Sequence, residues 1–249
     1  MIKHPPKLLY KYKSLESKKN LLHVLDIIDS GKIYLSDHDK VNDPLEGVGY
    51  NINIKGWAGM SIQYYADEEL GPIEEMKNQF RILSLSENPQ SPQLWAHYAD
   101  NYKGICLCFT TQGSLSDACK VSYAYKKPER NPRGELQLKK AVRNGFFCKH
   151  SGWSYEEEWR IVREKTNDHF LHFEKNELVG VILGQNIDDE DKKEILKRVP
   201  THIKIMKTKI GYQNPQVNIQ PLNYVYEYNG ESIYYIENME KYLLGENVK

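Results

Sequence analysis

The residues best suited to chemistry lie in one segment, 153–162, with the sequence WSYEEEWRIV. Its three consecutive carboxylates stand between two tryptophans and lead into an apolar, strand-like stretch. If the chain is extended from Glu158, side chains alternate, so Glu158 and Arg160 point to one face and Trp159 to the other. A carboxylate beside a guanidinium and aromatic rings can bind a ribose hydroxyl, stabilise a developing positive charge or act as a base. The alternative is an exposed acidic turn with a surface ion pair, leading into an edge strand.

A second group of chemically capable residues is the run 94–100, LWAHYAD. We predict a helix from Gln93 to Tyr102, because Pro92 suits the first turn of a helix. One face of that helix would carry Leu94, His97, Tyr98 and Asn101. Trp95, His97 and Tyr98 can present an indole, an imidazole and a phenol to a cleft. The alternative is that these rings belong to the core.

A polar turn, 41–47 with the sequence VNDPLEG, is the third candidate. Asn and Asp side chains bond their own backbone and Pro fixes φ, so turn structure alone accounts for Asn42, Asp43 and Pro44. It does not account for Glu46. Because loops on a rigid scaffold commonly bind ligands, Asn42 and Glu46 are candidate ligand contacts.

Several well-known site types are absent from the sequence. No Gly-x-Gly-x-x-Gly follows a predicted strand and no glycine-rich run ends in Gly-Lys-Ser or Gly-Lys-Thr, which argues against a Rossmann site and a P-loop. There is no Gly-x-Ser-x-Gly nucleophile elbow. His169 and His172 have the spacing of one helical face, but their apolar neighbours favour a strand, in which the two would point oppositely. We therefore predict no metal site.

The composition favours a soluble, cytoplasmic protein. The 249 residues carry 34 basic and 34 acidic side chains, so the formal net charge is zero and no global attraction to nucleic acid or membrane is expected. No apolar run reaches the length of a signal peptide or the roughly 18 residues of a membrane span, so we expect no membrane partner. The four cysteines lack zinc or disulfide spacing, and Cys106 and Cys108 are predicted to be buried thiols on one strand face.

The hydrophobic pattern predicts a single α+β domain over residues 1–249, since strands come in close succession and helices are interspersed irregularly. The predicted strands are Leu8–Lys13, Ile33–Ser36, Arg81–Ser86, Ile105–Thr110, Val121–Tyr125, the stretch from Glu158, Leu178–Leu183 and Ile203–Met206. Further helices are predicted before Gly31, around Glu68–Phe80, and over Glu135–Phe147 and Asp188–Arg198. The continuous apolar run Leu178–Leu183 indicates a central strand.

Ordered blocks of the sequence resemble a large bacterial family of uncharacterised proteins with the signature YKYRS…FNDPxE…LWAHYA…GICL…WxYExEWR. The matching blocks here are LYKY from Leu9, NDPLE from Asn42, LWAHYA from Leu94, GICL from Gly104 and WSYEEEWR from Trp153. This resemblance places a family-like core at about 8–184 and a C-terminal extension at 185–249. The chain departs from the signature at Lys13, usually Arg, and at Val41, usually aromatic.

A second resemblance, in the order of the elements, is to the ADP-ribosyltransferase fold, which includes toxins that modify nucleic acid. It implies a split, mixed β-sheet flanked by helices, with NAD⁺ bound as a substrate in the cleft and an acceptor that is a nucleic acid or a protein. On this resemblance Glu158 matches the catalytic glutamate, Lys11 or Tyr12 the polar residue of the first strand, and Tyr98 or His97 lies beside the nicotinamide. The further implied NAD⁺ contacts are Ser36, Asn42, Glu46, Arg81, Trp95, Lys149, Glu156 and Arg160.

The chemistry of this first hypothesis is coherent. Breaking the nicotinamide–ribose bond gives an oxocarbenium-like ribose, which a carboxylate on a ribose hydroxyl stabilises, while stacked aromatic rings hold the leaving group. Arg81, Lys149 or Arg160 would neutralise the pyrophosphate. The hypothesis is thus an NAD⁺-dependent ADP-ribosyltransferase or NAD⁺-cleaving enzyme that acts as a toxin or phage-defence effector.

Two other hypotheses belong to different classes. The first is a non-catalytic ligand-binding or sensor module of a defence system, in which the 153–160 segment is a buried structural network. Here Glu158→Gln would reduce stability rather than activity. The second is a Mg²⁺-dependent nuclease that uses Asp43, Glu46 and Glu156.

Overall fold

The structure, a computed structural model, describes residues 4–40, 51–55, 61–63, 71–125, 129–130, 135–211, 216–222 and 235–245. The strands in these residues are β1 (Leu8–Lys13), β2 (Lys32–Tyr34), β3 (Ser36–Asp37), β4 (Asn51–Lys55), β5 (Ser61–Gln63), β6 (Phe80–Ser86), β7 (Ile105–Thr110), β8 (Cys119–Lys120), β9 (Ser122–Ala124), β10 (Glu129–Arg130), β11 (Cys148–His150), β12 (Glu158–Glu164), β13 (Phe170–His172), β14 (Leu178–Leu183), β15 (Lys204–Ile210) and β16 (Val217–Pro221). The helices are α1 (Lys18–Ser30), α2 (Gly71–Lys77), α3 (Pro92–His97), α4 (Glu135–Gly145), α5 (Asp189–Arg198) and α6 (Met239–Leu244).

The chain divides into two compact units. The first comprises residues 1–4, 34–84 and 117–171, and the second comprises residues 5–33, 85–116 and 172–249. The α+β class with a mixed sheet and helices is confirmed. The split sheet of the ADP-ribosyltransferase type, the single domain over 1–249 and the boundary at 184 stay predictions.

The second unit is built on a sheet in which β16, β15, β14, β7 and β1 are successive neighbours. β1, β7 and β14 pair antiparallel, whereas β14 and β15 are parallel and are connected through α5. A parallel pair needs such a crossover because its two strands start at the same end of the sheet. β14 lies between β7 and β15, which confirms that the apolar run 178–183 is a central strand.

Local sequence sets the ends of the helix α1. Ser17 caps its first turn by accepting a hydrogen bond from the Asn20 amide, and Gly31 ends it with a φ of 65°. The apolar residues Leu21, Leu25 and Ile28 recur at helical spacing and are buried, as their pattern predicts.

Helix α3 is shorter than predicted. It ends at His97, with Tyr98 as its C-cap, so the expectation of a helix to Tyr102 is wrong. Asp100, Asn101 and Tyr102 have φ values of 47°, 49° and 67°, in the left-handed region. The turn brings the Tyr102 ring back onto Trp95, with ring centroids 6.0 Å apart and an interplanar angle of 11°. Helical periodicity does not predict these three left-handed residues, which place the Tyr102 ring on Trp95.

The first unit is built around β3, β6, β12 and β8. β6 lies between β3 and β12, and β8 pairs antiparallel with β12. Helices α2 and α4 supply the apolar residues that cover one face of this sheet. The resulting core cluster contains Ile73, Met76, Phe80, Ile82, Val142, Phe146 and Val162. Its members Phe80, Ile82 and Val162 show that the even-numbered residues of β6 and β12 point toward α4.

Candidate functional site

Four charged side chains of the first unit form a buried cluster, here called the ion quartet: Lys149, Glu156, Glu158 and Arg160. Arg160 binds Glu158 through two parallel hydrogen bonds, from Nε to Oε1 and from Nη2 to Oε2, each 2.7 Å long. Lys149 Nζ lies 2.6 Å from Glu156 Oε2 and 3.6 Å from Glu158 Oε2. Two cations and two carboxylates therefore share one buried volume with a net charge of zero.

The elements of the first unit explain how the ion quartet assembles. Glu158 and Arg160 point to one face of β12, as strand alternation predicts, and this is the face that Val162 shares with the core under α4. Arg160 also donates through Nη1 to the carbonyl oxygen of Phe146, at the end of α4. Strand β11 contributes Lys149, which completes the cluster.

The neighbouring cations keep Glu158 ionised. Burial by itself raises the pKa of this carboxyl, but the charge and hydrogen bonds of Arg160, with the charge of Lys149 and a hydrogen bond from Ser84, hold the pKa at about 2. The Glu158 side chain is 6% exposed and that of Arg160 is 1% exposed. The carboxylate is therefore charged, enclosed and bound on both oxygens.

We expect acid to remove the contribution of Glu158 to stability. The pKa of the folded protein, about 2, lies below the ordinary value of 4.5, so the ionised form favours folding. The contribution is complete above pH 4.5 and is lost as the pH falls from 4.5 toward 2. Urea unfolding of the natural protein and of Glu158→Gln across this range measures it. The stability difference between them should shrink in acid, and a constant difference would contradict the assignment.

Four aromatic side chains near the ion quartet, Tyr125, His150, Trp153 and Tyr155, are here called the ring surface. The Lys149 ammonium lies 4.7 Å from the centroid of the Trp153 ring, a cation–π contact that links the two groups. The centroids of Trp153 and Tyr155 are 6.1 Å apart, and those of Tyr125 and His150 are 5.6 Å apart. Tyr125 is 79% exposed, whereas His150, Trp153 and Tyr155 are half-buried.

Backbone structure fixes the ring surface. Strands β9 and β11 run parallel, with Tyr123 opposite Lys149 and Ala124 opposite His150. His150 then caps the 3-10 turn Ser151–Glu156 by accepting a hydrogen bond from the Gly152 amide through Nδ1, at 3.1 Å. Glu157 ends the turn with a φ of 46°, so the chain re-enters β12 at Glu158. Trp153 and Tyr155 are thus carried by a capped turn between two strands.

Tyr123 connects this turn to β12 and is not among the site residues predicted from the sequence. Its hydroxyl oxygen accepts a hydrogen bond from the Glu158 backbone amide at 2.9 Å. Burial, with the nearby Glu158 and Glu156 carboxylates, raises the pKa of Tyr123 despite that hydrogen bond, so the phenol stays protonated. The one signal for it in the sequence is strand alternation, which predicts that Tyr123 and Tyr125 share a face.

Arg81 lies on the opposite face of the first unit's sheet from Glu158. It stands on β6 between Phe80 and Ile82, whose side chains pack in the core under α4. Its direct partner on β3 is Asp37, whereas Ser36 pairs with Ile82. Arg81 and Glu158 therefore point to opposite faces of this sheet, and the assignment of Arg81 to the pyrophosphate stays a prediction.

Tyr12 and Trp95 meet in the second unit, where both are buried. Their rings make an edge contact with centroids 5.2 Å apart. The Tyr12 hydroxyl donates to the carbonyl oxygen of Asn88 at 2.8 Å, and Trp95 Nε1 donates to that of Pro89 at 2.8 Å. Burial raises the pKa of Tyr12, so its phenol stays protonated. Both polar tips tie the 87–91 loop to the core, and for Trp95 this is the core alternative stated for the 94–100 run.

The remaining predicted residues of the second unit lie nearer the surface. His97 is exposed and Tyr98 half-buried, and their rings meet edge to face with centroids 6.4 Å apart. Lys11 is half-buried on β1. The assignment of Tyr12, His97 and Tyr98 as catalytic residues stays a prediction.

The polar turn that contains Asn42, Asp43 and Glu46 lies outside the described residues. Across the residues that the structure does describe, no group of three His, Cys, Asp or Glu side chains is arranged to hold a metal ion. His172 ends strand β13, which begins at Phe170, so the expected strand is confirmed there. Cys106 and Cys108 are buried free thiols, as predicted, and burial raises the pKa of both.

No helix within the described ranges combines the length and the apolar character needed to cross a membrane. Comparison with curated proteins and with solved structures gives no match. Residues 94–161 match the model of a family described as "Protein of unknown function (DUF2971)". The matched stretch runs from α3 through the ring surface to the middle of β12, so it contains the whole ion quartet. Over these residues the chain is similar to a family of unknown function.

Proposed function

We propose that the protein is a non-catalytic binding module whose ring surface holds a ligand with a planar ring, such as the nicotinamide or adenine of NAD⁺. The observation that carries the proposal is the ring surface, with an exposed Tyr125 and three half-buried rings, beside a closed, neutral ion quartet. Aromatic faces bind planar rings by stacking, worth roughly 1–3 kcal/mol per base. The capped turn and the paired strands β9 and β11 hold these faces in place before a ligand arrives.

The state of Glu158 supports binding rather than bond cleavage. A carboxylate that stabilises an oxocarbenium-like ribose must contact the sugar. Here both oxygens of Glu158 accept hydrogen bonds from Arg160, and the side chain is 6% exposed. Releasing it toward a ligand would leave the Arg160 guanidinium buried without its counter-ion, which is costly. We therefore assign Glu158 to the support of the ring surface.

The proposal predicts that NAD⁺ binds without release of nicotinamide. Titration calorimetry should detect binding to the natural protein, and Trp153→Ala should weaken it about tenfold or more, because the variant removes a stacking face. Chromatography of the same mixtures should show intact NAD⁺. Absence of NAD⁺ binding, or equal affinity of the Trp153→Ala variant, would overturn the proposal.

A matched control separates local from general effects. Leu136 is also an exposed large apolar residue of the first unit, but it lies on α4, outside the ring surface. Leu136→Ala should leave NAD⁺ affinity unchanged, whereas Tyr125→Ala should reduce it. Melting temperatures of all three variants check that each protein is folded.

One observation favours the NAD⁺-cleaving enzyme as a second candidate. Glu158 is ionised, opens a strand and lies beside two cations, as the ADP-ribosyltransferase resemblance implies. For catalysis, Arg160 would have to move when NAD⁺ binds and free one carboxylate oxygen. This candidate predicts nicotinamide release that Glu158→Gln abolishes, whereas the binding module predicts none from either protein.

A further inference from the structure

We propose that the first unit has a second ligand site, at Tyr34, Lys40 and Lys165, which binds a nucleotide unit. The base would stack on the Tyr34 ring and the phosphate would lie against the two lysine ammonium groups. This inference uses other residues than the ring surface and does not rest on the function proposed above.

The aromatic half of the site is a stack at the edge of the unit. The rings of Tyr34 and His169 are nearly parallel, with centroids 6.1 Å apart and an interplanar angle of 15°. Phe170 meets Tyr34 edge to face with centroids 5.8 Å apart. Tyr34 nevertheless remains 39% exposed, so part of its ring is available for stacking.

A buried arginine holds this stack in position. Arg81 donates through Nη1 to the carbonyl oxygens of Thr166 and Asp168, at 2.9 and 3.1 Å. Its Nη2 lies 3.1 Å from His169 Nε2. Because a guanidinium can only donate, the imidazole nitrogen must accept, which fixes the ring as a neutral tautomer. The Leu35 amide also donates to the His169 carbonyl at 2.9 Å, so the backbones beside the two rings are joined.

The charged half of the site is a carboxylate surrounded by cations. Asp37 lies 2.8 Å from Lys165 Nζ, 3.0 Å from Lys40 Nζ and 3.5 Å from Arg81 Nε. Its hydrogen bond to Lys165 is the main cause that lowers the pKa of Asp37, so the carboxylate stays ionised. Three cations thus contact the Asp37 carboxylate, and with the neighbouring Asp39 counted these five groups carry a formal charge of +1 (three cations minus two carboxylates).

The two lysines can serve a ligand while they hold Asp37. Lys40 is 59% and Lys165 29% exposed in their side chains. Each ammonium carries three donors, more than its bond to Asp37 uses. Arg81 joins the two halves of the site, because its Nη2 contacts the His169 ring that stacks on Tyr34 and its Nε lies 3.5 Å from the Asp37 carboxylate that holds both lysines.

This combination fits a nucleotide better than a purely aromatic or purely anionic ligand. Stacking on an exposed ring with cations along the phosphate is how proteins hold single nucleic-acid units without reading sequence. The protein has no net charge, so such binding requires a local positive patch of this kind. The unit can come from a free nucleotide or from a single strand, and the two sources are separable by experiment.

The test measures binding of two probes, AMP by calorimetry and a fluorescent ten-nucleotide oligo(dA) by anisotropy, at low salt. Tyr34→Ala and Lys165→Ala should each weaken binding about tenfold. Leu136→Ala and Lys139→Ala are the matched controls, since Leu136 is an exposed apolar residue of the first unit and Lys139 is also a lysine paired with a carboxylate, Glu164 at 2.8 Å. Both controls should bind as the natural protein does.

Asp37→Asn gives the sharpest second readout. It keeps the side-chain shape but removes the charge that competes with phosphate, so affinity should rise several-fold and fall more steeply with salt. If this variant does not fold, Lys40→Ala replaces it, with an expected several-fold loss.

Each outcome decides the proposal. Binding of both probes supports a site for nucleotide units in general, and binding of the oligonucleotide alone supports a single-strand site. Failure of both probes to bind, or binding that Tyr34→Ala and Lys165→Ala leave unchanged, overturns the proposal. Loss of AMP binding in Tyr125→Ala but not in Tyr34→Ala would place the base on the ring surface and overturn this proposal, so failure of one proposal is distinguishable from failure of the other.

Discussion

Glu158→Gln is expected to lower the free energy of unfolding by roughly 3–5 kcal/mol, the usual cost of removing one partner from a buried ion pair. The substitution keeps the shape of the side chain but replaces one carboxylate oxygen by an NH₂ group. That group carries donors, and it would face either the Nε or the Nη2 donor of Arg160. Arg160 would keep its charge and its bond to the Phe146 carbonyl but lose its counter-ion. Urea unfolding followed by circular dichroism measures the loss.

Glu164→Gln is the matched control for this prediction. It makes the same chemical change on the same strand, but Glu164 is 63% exposed in its side chain and pairs with Lys139 at the surface. Exposed pairs contribute roughly 0–1 kcal/mol, so the control should be almost as stable as the natural protein. Equal stability of the Glu158→Gln and Glu164→Gln variants would contradict the role of the ion quartet in holding the fold.

A double variant tests the same point from the other side. Glu158→Leu combined with Arg160→Met removes both charges at once, so no unpaired ion stays buried. Apolar replacement of a complete buried pair is often neutral or stabilising. We expect the double variant to be more stable than Glu158→Gln, although it leaves the Phe146 carbonyl without the Arg160 donor.

Gly184→Ala is the second substitution with a large expected effect, at or above the upper end of the roughly 1–3 kcal/mol cost of overpacking. A methyl group at Gly184 would lie 2.0 Å from the Tyr102 carbonyl oxygen and 2.8 Å from that of Gly104. Both obstacles are backbone atoms, so no side chain can turn away. The Gly184 amide also donates to the Gly104 carbonyl at 2.9 Å, which fixes how closely the two segments approach.

The surroundings of Tyr102 prevent an easy shift. Its amide donates to the Trp95 carbonyl at 3.1 Å, its carbonyl accepts from the Asn186 amide at 2.9 Å, and its ring stacks on Trp95. Gly245→Ala is the control, because a methyl group there meets nothing within 4 Å although φ is 70°. It should cost only the strain of a left-handed alanine, about 1 kcal/mol. A loss for Gly184→Ala no larger than this would contradict the close approach.

The pairing of Glu158 with Arg160 could be predicted from the sequence because it is local. Two residues apart on a strand always share a face, so the alternation of WRIV was sufficient. The ends of α1 are also local, because the Ser17 side chain caps its first turn and the left-handed backbone of Gly31 ends it. The sequence left the burial of Glu158 open between a surface ion pair and a buried network, since burial depends on Lys149 and on the end of α4, which strand alternation does not place.

Helix α3 shows where local inference fails. The pattern from Gln93 to Tyr102 is helical, yet three left-handed residues follow Tyr98 and return Tyr102 to Trp95. Asp and Asn tolerate this conformation, but a bulky tyrosine adopts it only where surrounding contacts hold it. Here the stack on Trp95 and the bonds of Tyr102 to Trp95 and Asn186 provide them.

The sequence by itself determined the α+β class, the main strands, the buried thiols and the face that Glu158 shares with Arg160, because each depends on neighbours within a few positions. Only the tertiary structure decided that this carboxylate is enclosed in a neutral ion quartet, that Arg81 lies on the other side of the sheet, and that Tyr34 and His169 form a stack. These facts depend on which distant segments pack together. That packing is a property of the whole chain, which short-range periodicity does not encode.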